Sequence, residues 1–220
     1  MEDYLAILKE AHKQLTSSEK SIAIKDLALC HRKKVFSMID PVPMTAEELY
    51  GYVSGQAAHD IIERLFRMFP NRFRLEMEVY YETVRGKVDV YDKLYNCIID
   101  IKTSSSQKVL LKPFKFHEEQ VRYYMAIQDS EDGVLMYYMN NIYGKYRLFP
   151  IYMSVEERKA QLEKLRLYAT SLLKAIEVGD PSLAKGINDD NEIKWLCNKC
   201  PYLEKCKVMR NPRTNAAGAS

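Results

Sequence analysis

The chain has 220 residues, 47% of them hydrophobic and 29% charged, with 33 basic against 30 acidic side chains and a net charge of +3. That balance suits one soluble globular domain with room for a small accessory lobe, and the slight surplus of cations does not by itself indicate nucleic acid. No apolar run approaches the roughly 18 residues that cross a bilayer, and the opening "MEDYLAILKEAHKQL" is acidic and amphipathic, so a cytoplasmic protein without signal peptide or membrane anchor is expected.

A first helix is expected over Glu2–Thr16, with Leu5, Ile7, Leu8, Ala11 and Leu15 on one face. The stretch "IAIKDLALCHRKKVFSM" continues helically, with Leu27, Cys30 and Lys34 at helical spacing, until the two prolines of "DPVPM" stop it. Thr45 and Glu48 form a capping box that opens a long helix reaching about Phe69. From Phe73 the period falls to two, and "FRLEMEVYYETV", "GKVDVYD" and "LYNCIIDIK" read as three consecutive strands. The third is apolar on both faces at Cys97, Ile98 and Ile99, as a central strand should be. A helix over Lys115–Gln128 follows, then the strands "GVLMYYMN" and "YRLFPIYM" joined by a turn at Asn141–Gly144. Ser154 and Glu157 cap an amphipathic helix that Gly179, Asp180 and Pro181 terminate. The expected fold is α/β, a central mixed sheet flanked by helices. One domain over residues 1–210 is expected, comprising an N-terminal helical segment 1–44, a core 45–180 and a cysteine-bearing segment 181–210, with a disordered tail 211–220.

Asp89 and Asp100 end neighbouring strands, where two carboxylates converging on one rim make a hard oxygen site for Mg²⁺ or Mn²⁺. Lys102 leaves the strand on the same face as Asp100, placed to orient or deprotonate a water. An Asp-x-Lys strand end is by itself commonly a solvated ion pair. Its context is richer: His59 lies upstream in "GQAAHDIIE", and Gln120 and Tyr124 lie downstream in "EEQVRYYMAIQ" at i, i+4 on one helix face. Glu76 and Glu78 alternate along the first strand and read as a solvated face.

Five cysteines are an odd number, which opposes a disulfide framework. In "WLCNKCPYLEKCKVM", Cys197, Cys200 and Cys206 crowd among lysines, so packing explains them poorly and a fourth metal-binding thiolate is required. Cys97 sits in the apolar centre of a strand, whereas Cys30 lies beside a positive patch outside the sheet; Cys30 is the choice, with His31 an outlying alternative. Zinc and an iron–sulfur cluster both accept four thiolates.

Together, "GKVD", "IIDIKTSS", the upstream histidine and the Gln-x-x-x-Tyr helix resemble the PD-(D/E)XK nuclease superfamily, and within it the RecB-like branch. One N-terminal and three C-terminal cysteines resemble the iron–sulfur nucleases of that branch, most closely the CRISPR-associated exonucleases of the fourth-numbered Cas family. The resemblance covers about Ile22 to Cys206. It implies a restriction-endonuclease-like core whose ends a 4Fe–4S cluster joins through Cys30, Cys197, Cys200 and Cys206. It implies Mg²⁺ or Mn²⁺ ligands in His59, Asp89, Asp100 and the Ile101 carbonyl, with Lys102 activating water. Gln120 would orient the lysine or the DNA, and Tyr124 would contact the nucleic-acid strand. The implied function is a metal-dependent 5′ to 3′ exonuclease on single-stranded DNA, with endonuclease activity besides, working with an integrase in CRISPR adaptation. A RecB-like repair or viral nuclease outside CRISPR, and a non-catalytic DNA-binding assembly subunit, are the alternatives.

Overall fold

The computed structural model describes residues 22–139, 145–187 and 194–210. The expected first helix, the Asn141–Gly144 turn and the tail lie outside the described residues. The chain forms two compact units, one of Met1–Ala28 with Pro43–Leu167 and the other of Leu29–Val42 with Tyr168–Ser220.

The first unit is built on a six-stranded mixed sheet, the α/β architecture expected from the change of period. Its strands are β1 (Ile22–Ala23), β2 (Phe73–Tyr81), β3 (Val84–Asp92), β4 (Cys97–Ser104), β5 (Asp132–Met139) and β6 (Tyr146–Tyr152). The order is β1-β3-β4-β5-β6, with β2 also paired to β3. β4 is therefore central, as its two-sided apolar sequence requires, and it runs parallel to β5 and antiparallel to β3. "IAIKDLALCHRKKVFSM" is not one helix. Ile22 and Ala23 pair in parallel with Val84 and Arg85, α1 covers Ile24–Ala28, and α2 resumes at His31–Ile39. The Asp26 carboxylate accepts the Ala23 N–H at 3.1 Å, and Cys30 is extended ahead of α2, which breaks the periodicity at both places.

Two helices sandwich the sheet. α3 (Ala46–Arg67) carries the expected capping box, with the Thr45 side chain accepting the Glu48 N–H and the Glu48 carboxylate accepting the Thr45 N–H. It packs Ile62 against Val90 and Ile101, with Phe66, Leu75 and Met136 around them. Each such buried aliphatic side chain contributes about 1.5–3 kcal/mol. α4 (Lys115–Gln128) covers the opposite face, with Met125 and Val121 seated over Gly133, the register partner of Ile98. Residues 98, 100 and 102 point towards α4 and residues 99 and 101 towards α3, because side chains alternate along a strand. α5 (Val155–Val178) follows β6; its Arg158 is buried, donating to Asp129 Oδ1 and to the Met153 carbonyl at 2.9 Å each.

In the second unit, α2 is tied to the segment after α5. Arg32 donates its backbone N–H to the Lys185 carbonyl and its Nε to the Ala184 carbonyl. Phe36 stacks on Tyr202, with ring centroids 5.4 Å apart, and the Val42 N–H donates to the Tyr202 hydroxyl. The short helix α6 (Leu203–Arg210) is joined to the end of α2 by an ion pair between Lys205 and Asp40. No helix among the described residues is long and apolar enough to cross a membrane.

Candidate metal centre

The β3–β4 ladder holds only Val90–Asp92 against Cys97–Ile99. Asp89 and Asp100 are the first residues beyond its last pair, where the strands part. Asp89 Oδ2 accepts the Ile101 N–H at 2.7 Å across the gap. The opening admits side chains of α3: His59 Nδ1 lies 3.8 Å from Asp89 Oδ2. Glu63, one turn further along α3, completes a cluster in which His59, Glu63 and Asp89 bring one ligand atom each to within 4.8 Å of one another. One imidazole and two carboxylates form a donor set suited to Mn²⁺ or Mg²⁺.

Glu63 was not singled out in the sequence. The signal was present, since it stands at i, i+4 from His59 and shares its helix face. It is only 3% exposed, and burial, reinforced by Glu76 and Asp89, pushes its carboxyl up to about 7. Arg67 stands 3.7 Å away as a partial counter-charge.

Asp100 and Lys102 lie beside this cluster on the α4 face of β4. Lys102 Nζ is 2.7 Å from Asp100 Oδ2 in a buried ion pair. Burial pushes Asp100 up to about 6 despite Lys102, with Asp89 adding to the rise. Burial pulls the Lys102 ammonium down, but Asp100 and Asp89 more than offset that and hold it above the usual lysine range. Burial likewise raises Asp89 and, with Lys102, lowers His59.

On α4, Gln120 Nε2 donates to the Tyr124 hydroxyl at 3.1 Å, so the Gln-x-x-x-Tyr pair acts as one unit. Tyr124 is 3% exposed, and its ring closes over Gly86 of β3, where a Cβ would stand 2.6 Å from Cε1. Behind Lys102, its register partner Tyr137 accepts the Phe114 N–H and lies 2.6 Å from His117 Nδ1. Burial and the Lys102 charge push His117 down to about 2, so this pair stays neutral. Glu76, read as a solvated strand position, takes a left-handed backbone (φ 48°) opposite Asp89 and pairs with Lys87 at 2.5 Å.

In the second unit, Cys30, Cys197, Cys200 and Cys206 all line one cavity of about 260 Å³, together with Arg32 and Lys33. Burial pushes the Cys200 thiol up, and the Cys30 and Cys206 thiols add to this while Lys33 opposes it. Among the described residues, His59, Glu63 and Asp89 are the one close group of three or more donors, so the thiols share a cavity without forming such a group. Zinc and an iron–sulfur cluster both take four thiolates. Cys97 stands apart on β4, pushed up to about 11 by burial and then by Asp132 and Asp92.

The chain shares its fold with the protein SSO0001, whose crystal structure has a TM-score of 0.63 at 19% identity and covers 91% of this chain and 92% of that one. A phage-related exonuclease from Haemophilus somnus 129PT is similar at a TM-score of 0.46 and 12% identity, over 72% of this chain and 97% of that one. An alkaline exonuclease (LHK-Exo) from Laribacter hongkongensis is similar at 0.43 and 11%, over 72% and 96%. No family model and no curated protein matches the chain.

Proposed function

We propose that the protein is a metal-dependent DNA nuclease whose centre is His59, Glu63, Asp89, Asp100 and the Ile101 carbonyl, with Lys102 as the working cation. The observation that carries this reading is the convergence of His59, Glu63 and Asp89 within 4.8 Å beside the buried Asp100–Lys102 pair. A divalent ion there supplies Lewis-acid stabilisation of a phosphoryl oxygen and a more acidic bound water. Lys102 donates hydrogen bonds that orient the attacking water and offset the charge building on the phosphate. Asp100 and Asp89 keep Lys102 charged and aimed. Gln120 holds the Tyr124 hydroxyl at the edge of the centre, where it meets the substrate strand.

The proposed substrate is single-stranded DNA, degraded from the 5′ end with some endonuclease activity, in the cytoplasm and alongside the integrase of CRISPR adaptation. That finer reading is supported by the motif order His59, Asp89, Asp100-Ile101-Lys102, Gln120-x-x-x-Tyr124. Cys30, Cys197, Cys200 and Cys206 would hold a structural 4Fe–4S cluster, supported by their shared cavity.

The test is Mn²⁺- or Mg²⁺-dependent degradation of single-stranded DNA. Asp100→Ala and Lys102→Ala should each lower the rate by at least about 10²–10³-fold with metal saturating. Undiminished activity in either variant overturns the assignment of the centre.

A further inference from the structure

A second cavity, of about 570 Å³, opens in the first unit between α1, the β2–β3 hairpin and α4, and Asp89 is part of its wall. Two cations, Lys25 and Arg85, and the ring of Tyr80 also line it. Lys87 lines it too and pairs with Glu76, and the Glu78 carboxylate accepts the Tyr80 hydroxyl at 2.6 Å. Tyr80 is 63% exposed and is the cross-strand partner of Arg85, so ring and guanidinium stand side by side. Arg85 lies four residues before Asp89, about 13 Å along the strand at ~3.3 Å per residue. That separation suits a short stretch of extended polynucleotide with one phosphate at the metal centre and another at Arg85. The cavity is in the ordinary size range for a ligand site.

We propose that this cavity is a single-strand subsite continuous with the metal centre, in which Lys25 and Arg85 hold backbone phosphates and Tyr80 stacks on a base. The subsite rests on the nuclease reading above and adds the residues that select the strand. An exposed aromatic beside two cations is the sequence-tolerant way to hold single-stranded nucleic acid. Gly86, lacking a Cβ, lets Tyr124 and Ile24 close directly against β3 beneath the cavity.

The experiment measures binding of a fluorescent oligothymidylate to the full chain by anisotropy, in EDTA so that nothing is cut, over a salt series. Alongside it, wild-type cleavage is measured with Mn²⁺. The double variant Lys25→Ala/Arg85→Ala should bind about 10–100-fold more weakly, and its salt slope should fall by about 1.4, at ~0.7 per lost phosphate contact on a single strand. Lys25→Arg/Arg85→Lys should restore the slope. Tyr80→Ala should weaken binding by about 5–100-fold, whereas Tyr80→Phe, which keeps the ring and loses the Glu78 contact, should bind like wild type. Lys159→Ala, an exposed cation on α5, serves as the control. If wild type binds and cuts while the double variant shows an unchanged affinity and slope, the subsite is overturned and the nuclease reading stands. If wild type neither binds nor cuts, both fall together.

Discussion

The metal centre of the first unit and the cysteine cavity of the second bring donors together in opposite ways. Around His59, packing does the assembly: Ile62 on one turn of α3 is locked against Val90 and Ile101, so His59 and Glu63 reach Asp89 without help from a ligand. The cost is electrostatic and appears as carboxyls held above their ordinary range. Around Cys30, contacts such as Phe36 on Tyr202 bring four thiols to one cavity without forming such a close three-donor group among the described residues. A preassembled site is stable empty and binds when its charges are satisfied. An open thiol cavity gains its final order from whatever it binds, so binding free energy becomes folding free energy there.

The sharpest way to break that contrast is to remove the soft-ligand site. Cys30→Ser or Cys197→Ser should abolish iron and sulfide in protein prepared without oxygen. It should also lower Tm by about 5–10 °C, on a scale of ~2–4 °C per kcal/mol for a chain of this size. EDTA, which strips only the hard-ligand site, should leave Tm within about 2 °C. Stoichiometric zinc in a colourless protein would sink the cluster reading, and an equal loss of Tm from EDTA would erase the distinction between the sites.

Next in size is Glu63→Gln. If packing preassembles the centre, this isostere should keep the fold and weaken Mn²⁺ binding by about 10–100-fold, read by calorimetry. Unchanged affinity would show that Glu63 is a buried acid with a purely structural role.

Signals set by local chemistry or by a pattern longer than a turn survive folding, and those that depend on a distant partner do not. The capping box at Thr45, the β2–β3 and β3–β4 hairpins and the centrality of β4 were all legible, because each depends on local chemistry or on a pattern longer than a turn. β1 was not, because two residues make a strand only when Val84 and Arg85 are there to pair with them. The break at Cys30 escaped for a related reason: apolar spacing continues across it, and only the Asp26 cap and an extended Cys30 interrupt the helix. Glu76 adopts a left-handed backbone opposite Asp89 with no glycine or asparagine to announce it. The candidate ligands His59, Asp89 and Asp100 could be proposed by order along the chain. The proximity of Glu63 depends on how α3 enters the gap between two strands, which no spacing in one segment encodes.

The packing of the first unit can be probed without touching a ligand. Gly86→Ala places a methyl against the Tyr124 ring and Ile24 Cδ1, each 2.6 Å away, in a wall that cannot yield without moving α1 or α4. Overpacking of this kind costs about 1–3 kcal/mol. A Tm loss with the Mn²⁺ affinity retained would show that the centre tolerates movement of its α4 side.

The smallest effect isolates a charge that belongs to the scaffold alone. Asp92 is buried at the far end of β3, where Arg72 donates Nε and Nη2 to its Oδ2 at 3.0 and 2.8 Å and the Leu94 N–H donates to Oδ1 at 3.0 Å. Burial would raise this carboxyl, but the Arg72 and Leu94 bonds outweigh it and hold it below the ordinary aspartate value. The unfolded chain, titrating near ~3.9, then takes up the proton first. The stabilisation from Asp92 is fully present above about pH 4 and is lost as pH falls through the folded value. Asp92→Asn should therefore cost about 1 kcal/mol at pH 6 in urea unfolding, and the gap to wild type should narrow steadily towards pH 3. A gap that stays constant across that range would mean that the Arg72 contact stabilises through packing on Phe73 and Tyr95, over whose rings the guanidinium also lies, and not through charge.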